Sequence, residues 1–207
     1  VLHSVYVALS FMLILPLFKI DGTWAPIPGG CIWMGGQWMG AQILNSGFLP
    51  TYMIAVWRGG TPIGVAVQEF LQFHGISTNH IAIRTSSYSG IDKQSHQIAV
   101  HGLNYLVKNI TQEDRLLVVD DVLDTGLTVQ AIVAELQKKA RRNTPSEIKI
   151  AVPYYKPGRN KTNIAPDFFL HTTEDWLKFP HSLEGLSIEE IANHRPDLFE
   201  ILNHANR

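Results

Sequence analysis

The chain has 207 residues and a single cysteine, Cys31, which excludes an intrachain disulfide. A lone thiol fits a reducing compartment, so a cytoplasmic location is expected. Charge is also scarce: 17 Lys+Arg stand against 18 Asp+Glu, for a net charge of −1. Without a basic excess, no nucleic-acid partner is expected. The one basic cluster, Lys138, Lys139, Arg141 and Arg142, reads as a solvated helix end whose cations complement the helix dipole. Val5 to Phe18 is a nearly uncharged run of 14 residues. That is shorter than the roughly 20 residues a membrane span needs, and no membrane partner is expected. Two phosphate-binding glycine motifs are missing as well, Gly-x4-Gly-Lys-Ser/Thr and Gly-x-Gly-x-x-Gly. Hydrophobic content of 45% over this length is enough for one domain with a substantial core.

Val1 to Trp57 contains two charged residues, Lys19 and Asp21. The run Val5 to Phe18 has no basic flank of the signal-peptide kind. Three readings stand open: a segment buried in the core or an oligomer interface, a processed targeting remnant, or residues whose assigned identities are not native. The first is carried forward as the expectation, with residues 1–40 set apart from a main domain at 41–207.

What the chain does have is concentrated at Leu116-Leu117-Val118-Val119-Asp120-Asp121-Val122-Leu123-Asp124-Thr125-Gly126-Leu127-Thr128. Four apolar residues read as a buried parallel strand. Two carboxylates stand where it should end, a third follows, and Thr-Gly-x-Thr leads into a helical pattern. In open α/β sheets the ligand site lies beyond the carboxyl ends of the strands. Thr125 to Thr128 would offer backbone N–H groups and hydroxyls at a helix N-terminus, which suits a phosphate. Asp120 and Asp121 would repel a phosphate, so they should face a sugar diol or a metal ion. The bland reading is an acidic turn before a capped helix. The conjunction of parts favours a ribose 5-phosphate cradle.

The rest of the chain alternates in the same way. Trp33 to Ser46 reads as a helix, Thr51 to Trp57 as a strand, and Pro62 to Phe73 as a helix closed near Gly75. His80 to Arg84 reads as a strand, and Thr85 to Gln97 as a mobile polar loop. Ile98 to Ile110 has mixed periodicity and is left open. Val129, Ile132, Val133 and Leu136 share a helical face. Ile148 to Tyr154 and Asp167 to His171 read as strands, and Ser187-Ile188-Glu189-Glu190 as a capping box. Strands alternating with helices predict an α/β fold with a doubly wound, Rossmann-like parallel sheet. A small C-terminal cap is expected from about Lys156 onward. Arg58-Gly59-Gly60, at a strand end, suits an anion, since glycine frees the backbone and Arg58 adds a cation.

In this order, Trp57-Arg58-Gly59-Gly60, Thr85-Ser86-Ser87-Tyr88, the acidic strand end, Tyr155-Lys156-Pro157 and Asp175-Trp176-Leu177 resemble the 6-oxopurine members of the type I phosphoribosyltransferases. The resemblance covers about Gln42 to Ile191. It implies transfer of 5-phosphoribosyl from PRPP to hypoxanthine, guanine or xanthine, with Mg2+ as cofactor and a homodimer or homotetramer as the assembly. It further implies that Arg58 and Gly59 hold pyrophosphate, with a cis peptide after Trp57, and that Ser87 and Tyr88 lie on a closing loop. Asp120 and Asp121 would face the ribose hydroxyls and the Mg2+ shell. Asp124 would be the catalytic base at purine N7, and Thr125, Gly126 and Thr128 would bind the 5-phosphate. Lys156 would donate to the 6-oxo group, Trp176 would stack on the base, and Leu177 would meet it through its backbone. The family often places an acid after the stacking aromatic; His181-Ser182, followed by Glu184, stands there instead. Two rival readings are a non-catalytic PRPP-sensing regulator and a transferase for another base such as uracil. Adenine is disfavoured, because its 6-amino group and Lys156 are both donors.

Overall fold

The computed structural model describes residues 17–20, 23–26, 32–89, 96–179, 183, 186–194 and 196–205. The branched apolar runs form the inner strands of a seven-stranded sheet. β3 (Tyr52–Trp57) lies parallel to β4 (Asn79–Ser89) on one side and to β6 (Arg115–Val119) on the other. β6 continues in parallel to β8 (Glu147–Tyr155), whose far edge carries β9 (Phe168–Thr172). β5 (His96–His101) closes the opposite edge and is antiparallel to β4. The short β7 (Val122–Leu123) pairs with β8 on the edge that β6 also uses.

Period-two alternation splits the core into two layers. Leu116 and Val118 point to one face, with Ile54, Val56 and Ile83. Over that face lie α3 (Asn104–Asn109) and α4 (Leu127–Ala140), through Leu106, Ile132 and Leu136. Leu117 and Val119 point to the other face, beneath α1 (Ile32–Asn45) and α2 (Gly60–Phe73). All four of these β6 side chains are fully buried, which is why the strand is an unbroken apolar run. The sheet is therefore covered on both sides, as the alternating pattern predicts.

A second sheet of three strands is built from both ends of the chain. β1 (Leu17–Ile20) lies between β2 (Thr23–Pro26) and β10 (Leu177–Lys178), all antiparallel. Leu17 faces Lys178 and Phe18 faces Leu177 in register. Beyond it come α5 (Ile188–His194) and α6 (Pro196–Ala205). The capping box forms: Ser187 N donates to Glu190 Oε2 at 2.9 Å, and Glu190 N donates to Ser187 Oγ at 3.1 Å.

One expectation needs correcting. Residues 85–89 and 96–97, assigned to a mobile loop, belong to strands. Ser87 pairs with Ile98 and Tyr88 with Gln97. Thr and Tyr favour extended backbone, and an edge hairpin satisfies their ladder without needing an apolar face. Residues 90–95 of that expectation lie outside the described residues, as do 5–16 of the apolar run. Ile98 to Ile110, left open, divides into β5, a turn at Gly102 (φ +95°) and α3.

Candidate functional site

The site begins where the ladder of β6 stops. Val119 pairs with Ala151 and Val122 with Tyr154, so the register is unchanged across Asp120 and Asp121. Asp120 N still donates to Ala151 O at 3.1 Å. The break falls opposite the stretch of β8 that holds Pro153, which has no N–H to give to a ladder. Two consecutive acids are thereby held at a strand end without continuing the pairing. Asp121 N donates to Asp120 Oδ1 at 2.9 Å. Burial pushes the Asp120 carboxyl well above the usual carboxylate range, and the charge of Asp121 adds to the rise.

The turn after β3 packs against these acids. The Trp57–Arg58 peptide is cis. A side chain at Gly59 would overlap the Asp121 carboxylate, and one at Gly60 would stand 2.7 Å from Asp120 Cα. Only glycines let the exposed Arg58 and its turn close on the acidic strand end.

On the other side, Gly126 turns the chain into α4 with φ +76°. Leu127 N donates to Thr125 Oγ1 at a long 3.5 Å, and Gln130 N closes the first helical bond on Gly126 O at 3.0 Å. The remaining first-turn N–H groups have no helical acceptor. From Asp120 round to Val129 these residues line one cavity of about 250 Å³ that includes Asp124, Thr125, Gly126 and Thr128. The turn after β8 supports it from behind. Lys161 N donates to Thr125 O at 3.0 Å, and Thr162 N donates to Asn160 Oδ1 at 2.9 Å, next to where a Gly126 side chain would go.

Lys156 directly follows β8 and is 2% exposed. Desolvation pulls its pKa below the ordinary lysine value, and the nearby Asp124 carboxylate opposes the fall. Nζ lies 3.7 Å from Asp124 Oδ2 and 5.7 Å from the centroid of the Trp176 ring. That ring is 58% exposed, so a cation approaches it while most of its surface stays open. Arg159 Nε lies 2.8 Å from Asp124 Oδ1. Its N–H is not aligned on that oxygen, so the contact is an ion pair rather than a directed hydrogen bond.

The structure thus brings Asp120, Asp121, Asp124, Thr125, Gly126 and Thr128 around one cavity, with Gly59 against Asp121, Lys156 beside Asp124, and Trp176 beside Lys156. Leu177 follows Trp176 as the strand that joins β1. Ser87 and Tyr88 are fixed only by their place at the end of β4. Ser182 and Glu184 lie outside the described residues. Sequence reasoning passed over Arg159 and Glu174. Glu174 Oε1 accepts from Gly158 N at 2.8 Å and so ties the turn after Lys156 to the segment before Trp176. The available signal was the basic, Pro- and Gly-bearing run Lys156-Pro157-Gly158-Arg159-Asn160-Lys161, taken only as far as its first two residues. Among the described residues no three His, Cys, Asp or Glu side chains converge on a metal position, and no helix is long and apolar enough to cross a membrane. Asp120 and Asp121 are hard oxygen donors on an open cavity. They suit a Mg2+ held mostly by substrate oxygens and water rather than by a protein cage.

A family model described as the phosphoribosyl transferase domain matches residues 39–187. No curated protein matches the sequence. Among solved structures, a purine phosphoribosyltransferase from Pyrococcus horikoshii is similar at 24% identity and TM-score 0.57, covering 75% of this chain and 92% of that one. A hypothetical protein from Neisseria gonorrhoeae with bound ppGpp is similar at 22% identity and TM-score 0.62, covering 82% and 92%. A hypoxanthine-guanine phosphoribosyltransferase from Bacillus anthracis is similar at 18% identity and TM-score 0.54, covering 69% and 79%. At these identities the likeness is one of fold.

Proposed function

The chain belongs to the phosphoribosyl transferase domain family, and from that premise we propose that it transfers the 5-phosphoribosyl group of PRPP to a 6-oxopurine. The products are the nucleoside monophosphate and pyrophosphate, and the role is salvage of hypoxanthine, guanine or xanthine. The observation that carries the base assignment is Lys156. A buried ammonium paired with the Asp124 carboxylate, with a largely open tryptophan beside it, can meet a flat ring bearing a carbonyl oxygen.

In this reading Thr125, Gly126 and Thr128 grip the 5-phosphate with first-turn N–H groups and hydroxyls. Asp120 and Asp121 accept from the ribose hydroxyls, and Arg58 with the Gly59 backbone holds the pyrophosphate. Ser87 and Tyr88, at the end of β4, shield it from water. Asp124 accepts the proton of purine N7 as the base attacks the anomeric carbon. Lys156 donates to O6, Trp176 stacks on the ring, and Leu177 meets it through backbone. Mg2+, where bound at Asp120 and Asp121, supplies positive charge to the departing pyrophosphate.

A steady-state panel tests the reading: PRPP and Mg2+ with hypoxanthine, guanine, xanthine, uracil and adenine, scored by pyrophosphate release. Turnover of one or more 6-oxopurines well above uracil and adenine is expected. Binding of PRPP without turnover of any base would make the chain a PRPP sensor, and preference for uracil would move it to another base class.

A further inference from the structure

We propose that Arg159 is a positioning residue for Asp124, the second cation that holds this carboxylate in place once Lys156 is engaged by the base. The inference rests on the assignment of Asp124 and Lys156 above and adds a residue to it.

Asp124 stands between two cations, one at each oxygen. Lys156 Nζ is 3.7 Å from Oδ2, and Arg159 Nε is 2.8 Å from Oδ1. Lys156 is buried and can serve only what the pocket brings to it. A carbonyl oxygen arriving at Nζ takes over part of the interaction that Asp124 had. A carboxylate left with one distant cation in a partly buried site would turn or draw back. Arg159 prevents this from the opposite oxygen. Its contact is a charge contact without an aligned N–H, made to an oxygen that is itself buried from solvent. The anchor is itself fixed. Arg159 N donates to Lys156 O at 3.2 Å, and Gly158 N is held by Glu174 Oε1 at 2.8 Å. The turn that carries Lys156 therefore carries Arg159 as one unit, and both cations reach Asp124 together. Arg159 is half-exposed, so its replacement does not open the core.

The test is a double-mutant cycle on the full-length protein with PRPP, Mg2+ and the best 6-oxopurine. Arg159→Ala is expected to lower kcat by about 10- to 10²-fold, the cost of a misplaced catalytic group. KM for PRPP should change less than about 2-fold, because the phosphate loop does not include Arg159. Arg159→Lys should recover part of the loss, and Arg159→Gln should not, since the side chain acts through its charge. Asp124→Asn alone should lower kcat by about 10²-fold or more. Adding Arg159→Ala to Asp124→Asn should lower it no further. Additive losses, or a loss confined to KM for PRPP, would overturn the positioning role while leaving the proposed function standing. Wild type that turns over no base would overturn the proposed function and this inference with it.

Discussion

Asp120 carries a burden that the backbone N–H of its neighbour only partly relieves. It is a carboxylate at a strand end, pushed up by burial and by Asp121, with Asp121 N as its hydrogen-bond donor. Its folded pKa lies above its unfolded one. The stability it contributes is then complete below the ordinary carboxylate range and is lost as pH rises through the raised value. Asp120→Asn mimics the protonated form and keeps the oxygen that accepts from Asp121. At neutral pH it should raise Tm, by about 2–4 °C for each kcal/mol relieved in a chain of this size. The gap to wild type should close in thermal melts below about pH 4. The same variant should bind PRPP–Mg2+ more weakly, and an unchanged Tm would show that the carboxylate is not strained by its site. Lys156 is the opposite case: burial lowers its pKa, so it loses its proton below the ordinary lysine range. KM for the base should climb on the alkaline side, as pH rises through that lowered value, while KM for PRPP stays flat. Lys156→Ala should cost base binding roughly 1.5–3 kcal/mol, the worth of a hydrogen bond to a charged group. Equal effects on both substrates would put Lys156 outside the base pocket.

At the level of elements, the helix proposed to receive the phosphate depends on one residue. Gly126 enters α4 at φ +76°, with Thr162 and Asn160 packed where a side chain would go. Gly126→Ala meets two penalties, a left-handed backbone costing about 1–2 kcal/mol and a steric clash that shifts the supporting turn. The expected result is a denaturation midpoint lowered by at least that amount, together with weaker PRPP binding by calorimetry. Full PRPP affinity in a destabilised variant would separate the helix entry from the phosphate. The β4–β5 hairpin teaches a different lesson. Its residues are polar and small, and periodicity gives them no buried face, so they read as loop. Antiparallel pairing at an exposed edge needs only backbone partners, and those came from His96–His101, a segment whose own pattern was ambiguous.

Across the whole molecule, the segment that carries Trp176 is secured by strands from the other end of the chain. β1 is the central strand of the small sheet, and Phe18 pairs with Leu177, the residue after Trp176. Phe18 pairs with Ala25 of β2 as well as with Leu177, so a proline there removes a backbone donor from the small sheet and should loosen the support of β10 without touching the Thr125–Thr128 turn. Phe18→Pro is expected to raise KM for the base several-fold and leave KM for PRPP unchanged in the same steady-state assay. A variant with both constants intact would make the pairing irrelevant to base binding. A scarcity of charge at the start of the chain gave no hint of this arrangement, because β pairing between residues so far apart leaves no local trace.

The sequence by itself determined the doubly wound sheet and its acidic strand end. Leu116 to Val119 has to be buried on both faces, and Asp120, Asp121 and Asp124 cannot follow it into the core, so the run carries its own boundary. Lys156 and Trp176 were legible as chemistry but not as neighbours. Lys156 approaches Asp124 because β6 and β8 lie side by side in register, which ends both strands on one edge of the sheet, and Trp176 meets Lys156 in turn. Arg159 was invisible for the same reason. Nothing in Lys-Pro-Gly-Arg states which carboxylate it meets, and only the turn at Gly158, tied down by Glu174, aims it at Asp124. Burial and periodicity are local and can be read along a chain. The distance between two side chains on different strands is set by register and turn geometry, and these are decided when the strands pair.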